Sequence, residues 1–210
     1  MESSRLIFHE YLDRLGLKTQ HTTELFHYYH QELVKLNHQI NLYSRQMSEE
    51  EIWCKHFLDS LSIFEVYRDF AGKTILDFGT GGGFPGLPLK IVAGSCYLTL
   101  LDGTKKKIAA LKSIVRSLGL KNVEFLSYRL EDKNMEKYFF SFDLIVCRSV
   151  RITPLLRNVL CCLLKPQGKI FLYKAQQIED VLLFKRYQIH ELKLDILGTR
   201  KIIEIDIQDS

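Results

Sequence analysis

Residues 75–89 read ILDFGTGGGFPGLPL, an apolar run carrying the carboxylate of Asp77, then glycines at 79, 81, 82, 83 and 86. A literal G-x-G-x-x-G lies in Gly81, Gly83 and Gly86, which alone is a weak match to a dinucleotide loop. A Walker A phosphate loop is excluded more firmly, because no Gly-Lys-Ser/Thr follows. Asp77 decides among ligands. A pyrophosphate at a helix N-terminus is held by backbone N–H groups and the positive end of the helix dipole, and a carboxylate beside it would repel it. A ligand bearing an ammonium and a sulfonium reverses that preference. S-adenosylmethionine is such a ligand, and D-x-G-x-G-x-G in Asp77, Gly79, Gly81 and Gly83 suits its methionine end, the glycines allowing close backbone approach. Asp102 closes the next apolar run, CYLTLLD, where its carboxylate can accept from both ribose hydroxyls. Alone it would fit a nicotinamide dinucleotide equally well; together with Asp77 it favours the methyl donor.

Such residues need a frame. After Gly72 the pattern alternates: KTILDFG, CYLTLLD, VEFLS, FDLIVCRS and GKIFLYK read as strands. Between them LPLKIVA, KKKIAALKSIVRSLG, PLLRNVLCCLL and IEDVLLFKRY read as helices. Of these, KKKIAALKSIVRSLG puts Ile108, Leu111, Val115 and Leu118 on one face and stops at Gly119. The end, IHELKLDILGTRKIIEIDI, reads as two strands around Gly198. Alternation of strand and helix predicts an α/β fold, a Rossmann-like, mostly parallel sheet with helices on both faces and a terminal antiparallel hairpin. Before Gly72 the chain is helical. ELFHYYHQELVKLNHQINLY sets Leu25, Tyr29, Leu33, Leu36 and Ile40 at helical spacing, and SEEEIWCKHFLDSLSIFEVY opens with Ser48 and Glu51 in capping-box spacing. The expected organisation is an N-terminal helical cap over 1–71 and a Rossmann-like domain over 72–210.

Composition narrows the partners. The chain has 210 residues, enough for one ordinary domain with a small appended unit. No apolar stretch reaches the length of a membrane span, and MESSRLIFHEYLDRLG lacks the basic-then-apolar order of a signal peptide, so a cytoplasmic protein without membrane association is expected. Five cysteines in scattered apolar contexts read as reduced thiols, and His27 with His30 as surface histidines, so no metal is expected. Net charge is only +4, but its distribution is uneven. Residues 103–121 hold six basic residues and no acid, among them Lys105 and Lys106; residues 144–178 again hold six and no acid, among them Arg148, Arg151 and Lys174. Two such stretches beside one site point to a polyanionic partner.

HFLDSL (56–61), LDFGTGGGFPGLPL, LTLLDGTKKKIAALK, RLED, FDLIVCRS and LLKPQGKIFLYK follow in this order at fitting distances. Together they resemble the bacterial small-subunit rRNA guanine-N7 methyltransferase family, RsmG or GidB, over about Asn41 to Arg200. The resemblance implies a class I S-adenosylmethionine-dependent methyltransferase acting on N7 of a guanine in the 530 loop of 16S rRNA, alone or in a small ribosomal subunit, and working as a monomer. It implies that Gly79 and Phe84 contact cofactor, that Leu130 and Glu131 pass its adenine, and that Arg148 and Arg129 serve in or beside the catalytic site. Lys174 and Arg200 fall at basic positions near cofactor or RNA, and His56 in the helix that joins cap to core. With His56, Lys105, Lys106 and Arg151 they form the expected RNA-binding set. Gln167 and Ala175 depart from the family's glycines, and YSRQ continues its N-terminal signature imperfectly.

Guanine N7 carries a lone pair and no proton, so methylating it needs positioning rather than a general base. The absence of a nucleophile elbow likewise sets aside a hydrolase trio in His56, Asp59 and Ser60, whose spacing fits local helix hydrogen bonds. Two other readings stay in view at the sequence level: a methyltransferase of small molecules, and a non-catalytic RNA-binding protein on the same scaffold. The nicotinamide oxidoreductase is disfavoured by Asp77.

Overall fold

The computed structural model describes residues 3–128 and 133–207. Seven strands form one sheet in the order β3-β2-β1-β4-β5-β7-β6. They are β1 Thr74–Phe78, β2 Tyr97–Leu101, β3 Val123–Leu126, β4 Phe142–Arg148, β5 Leu164–Lys174, β6 Tyr187–Leu194 and β7 Gly198–Asp206. The first five are mutually parallel, while β7 runs antiparallel between β5 and β6. The expected strand–helix alternation and terminal hairpin are therefore present. The direction of winding reverses between β1 and β4, and in open α/β sheets the crevice at such a point, beyond the carboxyl ends of the strands, takes the ligand.

The sheet is covered on both faces, which is why its strands read as continuous apolar runs. Alternate residues feed alternate cores: Ile75, Leu144, Val146 and Phe171 join one, and Leu76, Ile145, Cys147 and Ile170 the other. The first core also takes in the N-terminal helices, α1 Ser4–Arg14 and α2 Gln20–Asn37, through Phe8, Phe26, Tyr29 and Leu33. Helix α5, Lys105–Ser117, buries Ile108, Leu111 and Val115 in that core, and Gly119 ends it at φ +64°. On the other face lies α6, Pro154–Leu163, started by the Thr153 side chain and by proline in its first turn. Among the described residues no helix is long and apolar enough to cross a membrane.

Two segments differ from expectation. IEDVLLFKRY forms only a 3₁₀ turn over Glu179–Leu183. Its buried residues, Val181 and Phe184, are three apart, and Asp180 is drawn to Lys174 and to the Ile152 amide, so no long apolar face favours an α-helix. The segment after the Ser48–Glu51 capping box is helical but irregular. The box itself forms, with Ser48 N donating to Glu51 Oε2 at 2.8 Å. The chain then passes through a π-helical turn, Trp53–Leu58, into a short α3, Asp59–Leu61, and a 3₁₀ turn, Ser62–Glu65. Widened turns of this kind occur often at functional sites, and this one carries His56.

Candidate functional site

The glycine loop leaves β1 and enters α4, Gly86–Val92, at the switch point of the sheet. It is held from three sides. The amides of Gly79 and Thr80 both donate to Leu101 O at 2.9 Å, tying the loop to the end of β2. Tyr29 of α2, fully buried, donates its hydroxyl to Gly82 O at 2.7 Å. Asp77 holds the loop from below: its Oδ2 accepts from Thr80 Oγ1 at 2.6 Å and from Gly86 N at 2.8 Å. Among the described residues its Oδ1 has no partner. Desolvation pushes the Asp77 carboxyl up to about 7, against the pull of the Thr80 hydroxyl, the Gly86 amide and the Arg148 charge. Asp77 thus both supports the loop and keeps one buried acceptor oxygen uncommitted.

Asp102 stands at the end of β2 as expected. Its Oδ2 accepts from Gly81 N at 3.1 Å and its Oδ1 from Thr104 N at 2.7 Å. Among the described residues, a Cβ added to Gly81 would meet no atom closer than Gly79 O at 4.0 Å, so the loop faces open space there, with φ at +57°. At Gly83 the same addition would strike Tyr29 Oη at 2.5 Å. The two glycines therefore serve different ends: Gly81 borders room for a ligand, and Gly83 admits the cap helix against the loop. An uncommitted buried carboxylate oxygen, a half-buried carboxylate at the end of β2 and open room over Gly81 fit the methionine and ribose parts of S-adenosylmethionine.

Beside the loop lies a cluster that the sequence points to only in part. The His56 and Phe84 rings stack at 4.4 Å and 8°, and the Arg148 guanidinium sits 5.0 Å from the centre of Phe84. Arg148 Nη1 donates to Asp59 Oδ2 at 3.0 Å and to Lys55 O at 3.1 Å. Its Nη2 meets His56 Nδ1 at 2.5 Å. A guanidinium can only donate, so His56 Nδ1 accepts and the ring is neutral with its hydrogen on Nε2. Burial first, and the Arg148 charge second, hold this imidazole down at about 3. Arg200 completes the group from β7, its Nε donating to Asp59 Oδ1 at 3.1 Å. Asp59 thereby joins arginines from β4 and β7 to the cap. Ser60, its neighbour, donates to His56 O at 2.6 Å, a local helix bond with no nucleophilic arrangement.

The structure brings some expected residues together and separates others. Asp77, Gly79, Gly81, Gly83, Asp102 and Arg148 gather at the carboxyl ends of β1, β2 and β4. Phe84, expected against the cofactor, is 4% exposed and packed under His56 and Arg148. His56, expected against RNA, is largely enclosed between Phe84 and Arg148, because the π-helical turn aims its ring inward. Lys105, Lys106 and Arg151 are exposed. Lys174 is largely buried and paired with Asp180 at 2.6 Å, and Arg200 also donates to Leu197 O at 2.7 Å. Arg129, Leu130 and Glu131 lie outside the described residues. Sequence reasoning missed Asp59 and Tyr29 as parts of the site. An acid inside HFLDSL with two distant arginines to answer was the one signal for Asp59. For Tyr29 helical periodicity marked only the core face.

After Arg148 the backbone of Ser149 takes φ +58°, a conformation uncommon outside glycine. It turns the chain so that Val150 lies against Gly79, where an added Cβ would come within 2.7 Å of Val150 Cγ2. Beyond Val150 opens a cleft of about 1330 Å³, bordered by Arg151, Lys174, Asp180 and Arg200. A hollow of about 180 Å³, lined by Asp59, Arg148 and Tyr173 among others, adjoins it through Ser149, Lys174 and Arg200. Room over Gly81 and the cleft past Val150 thus flank the same switch point.

The family described as GidB, rRNA small subunit methyltransferase G, matches residues 22–200. A ribosomal RNA small subunit methyltransferase G of Lachnoclostridium phytofermentans is 34% identical over 201 residues, 94% of this chain and 83% of the relative. One from Thermoanaerobacter sp. (strain X514) is 35% identical over 180 residues, covering 85% and 75% of the two chains. Among solved structures, a SAM-dependent methyltransferase from Aquifex aeolicus superposes with a TM-score of 0.56 at 17% identity, over 71% of this chain and 90% of that one. MtNAS in complex with MTA and tNA gives 0.61 at 10% identity, over 91% and 75%. These last two likenesses concern the fold.

Proposed function

The chain belongs to the rRNA small subunit methyltransferase G family, and from that membership we propose that it methylates N7 of a guanine in the 530 loop of 16S rRNA, with S-adenosylmethionine as donor. The observation that carries this reading is the pair of carboxylates around the glycine loop, Asp102 holding Gly81 and Asp77 keeping Oδ1 uncommitted below it. When bound, the cofactor supplies an electrophilic methyl group on a sulfonium. The protein's share is placement. Asp102 takes the ribose hydroxyls, Asp77 faces the ammonium, and Gly81 leaves room for both. No side chain has to remove a proton, because N7 has a lone pair and the product is a cationic ring. Lining up nucleophile, methyl carbon and sulfur can contribute roughly 7–11 kcal/mol in favourable cases.

Arg148 serves as an organiser, fixed by Asp59, Lys55 O and His56. A donor aimed at N7 would occupy the lone pair that must react, so its charge faces cofactor or phosphate and leaves N7 free. On the family pattern, Leu130 and Glu131 run beside the adenine and Arg129 beside the reacting centre. Exposed Lys105, Lys106 and Arg151 meet RNA phosphates, and the target base leaves its stack to reach the pocket. The protein works as a monomer in this reading.

Purified protein, labelled methyl donor and 16S rRNA or small subunits from cells lacking the activity form the test. Nuclease digestion and mass spectrometry should find N7-methylguanosine in the 530-loop fragment. Label at another atom or another fragment, or none from either substrate, overturns the proposal.

A further inference from the structure

We infer that Asp180 and Lys174 form a reader of the guanine's Watson–Crick edge, and so decide which base enters the cleft; the inference rests on the guanine reading above. The pair spans the carboxyl end of β5 and the 3₁₀ turn that replaces the expected helix. Lys174 Nζ donates to Asp180 Oδ2 at 2.6 Å and to Val150 O at 3.2 Å. Asp180 Oδ2 also accepts from Ile152 N at 2.8 Å. Both side chains are nearly enclosed, at 12% and 14% exposure, yet both border the large cleft.

Their remaining capacity is specific. An ammonium has three hydrogens, and two are committed, so Lys174 keeps one donor. Among the described residues Asp180 Oδ1 receives no donor, so both of its lone pairs stay open to accept. A base with an acceptor beside two donors answers this arrangement. Guanine is that base: O6 accepts, and N1–H and the N2 amino group donate. Adenine offers an amino donor toward the ammonium and a bare ring nitrogen toward the carboxylate, which is mismatched at both places. With N1–H, the N2 amino group and the N1-facing lone pair of O6 held here, N7 stays on the adjoining edge beside O6, its own lone pair free for methyl transfer. Position agrees with chemistry. Val150, whose carbonyl binds Lys174, packs against Gly79, so the reader sits one residue's width from the glycine loop.

The test uses substrate RNA carrying guanosine or inosine at the target; inosine lacks only the N2 amino group. Wild-type protein should lose about 10- to 100-fold in kcat/KM on inosine, the order expected when one partner of a two-bond base contact is removed. Asp180→Asn should be slow on guanosine and equally slow on inosine, while cofactor affinity measured by calorimetry stays within twofold of wild type. A purely structural role for Asp180 would slow both substrates alike and leave the wild-type ratio intact, which would overturn the inference. So would wild-type protein indifferent to inosine, a comparison that needs no variant to fold. If wild-type protein methylates neither RNA, the guanine-N7 reading itself fails; transfer to guanosine with no discrimination defeats only the reader.

Discussion

At the scale of single residues, Asp77 is a carboxyl wholly removed from water. A carboxyl whose folded pKa, about 7, lies above its unfolded value of 3.8 favours the folded state only when protonated. Its stabilising contribution is whole below pH 3.8, declines as pH rises, and is gone above about 7. That difference is at most about 4 kcal/mol at roughly 1.4 kcal/mol per unit. Cofactor-free protein should therefore lose stability between pH 5 and pH 8 in guanidinium melts, and Asp77→Asn should lose distinctly less. Equal losses would place the pH dependence elsewhere. An ammonium brought near Oδ1 favours the ionised carboxylate, so wild-type affinity for S-adenosylmethionine should rise from pH 6 to pH 8. Two glycines separate loop support from ligand space. Gly81→Val should fold, strained at φ +57°, yet bind no cofactor, because its side chain enters the open room. Gly83→Val instead drives into Tyr29 and Leu87 and should cost stability of the kind seen on overpacking, about 1–3 kcal/mol or more. Thermal melts and calorimetry on both variants distinguish the two roles; normal cofactor affinity in folded Gly81→Val would move the ligand away from this loop.

At the scale of elements, the short α3 that follows the π-helical turn meets β4 and β7 through Asp59, which bridges Arg148 and Arg200. With 13% of its side chain exposed it is close to buried. Removing one member of a buried ionic group strands the others, typically for 3–5 kcal/mol; partial exposure lowers the expectation for Asp59→Ala to about 2–3 kcal/mol in urea melts. Loss of activity in Asp59→Ala should exceed any loss of cofactor affinity, since Arg148 goes astray while Asp77 and Asp102 stay. A variant as stable as wild type would show that the hairpin is held by packing alone. These ties mark where the sequence stopped being legible. Strands β1 to β5, α5 and its Gly119 stop were readable because local periodicity and burial coincide there. IEDVLLFKRY offered apolar content without helical spacing, and a tertiary partner, Lys174, took Asp180. Residues of the glycine loop were legible because close approach and positive φ leave little choice but glycine. The inward facing of His56 onto Phe84 was not legible, because it follows from the π-helical turn, which no local pattern signals.

At the scale of the whole molecule, charge is the property that no single side chain shows. The net +4 is small, but the exposed cations Lys105 and Lys106, at the start of α5, and Arg151, beyond β4, lie on either side of the glycine loop at the carboxyl edge of the sheet. Cations at a helix N-terminus oppose the dipole, so Lys105 and Lys106 do nothing for α5 itself. A phosphate partner would account for them. Changing Lys105, Lys106 and Arg151 to glutamine should weaken binding of a 16S rRNA fragment and flatten its salt dependence. Each cation withdrawn from a phosphate should lower the log–log slope by about 0.7–0.9, because fewer condensed counterions are released. Cofactor affinity should hardly move, since Asp77, Asp102 and the loop are untouched. An ordinary solvated face predicts no change in either quantity. Titrations of wild type and the triple variant at several salt concentrations decide between them, and equal slopes would direct the search for the RNA surface to Lys174, Arg200 and the helical cap.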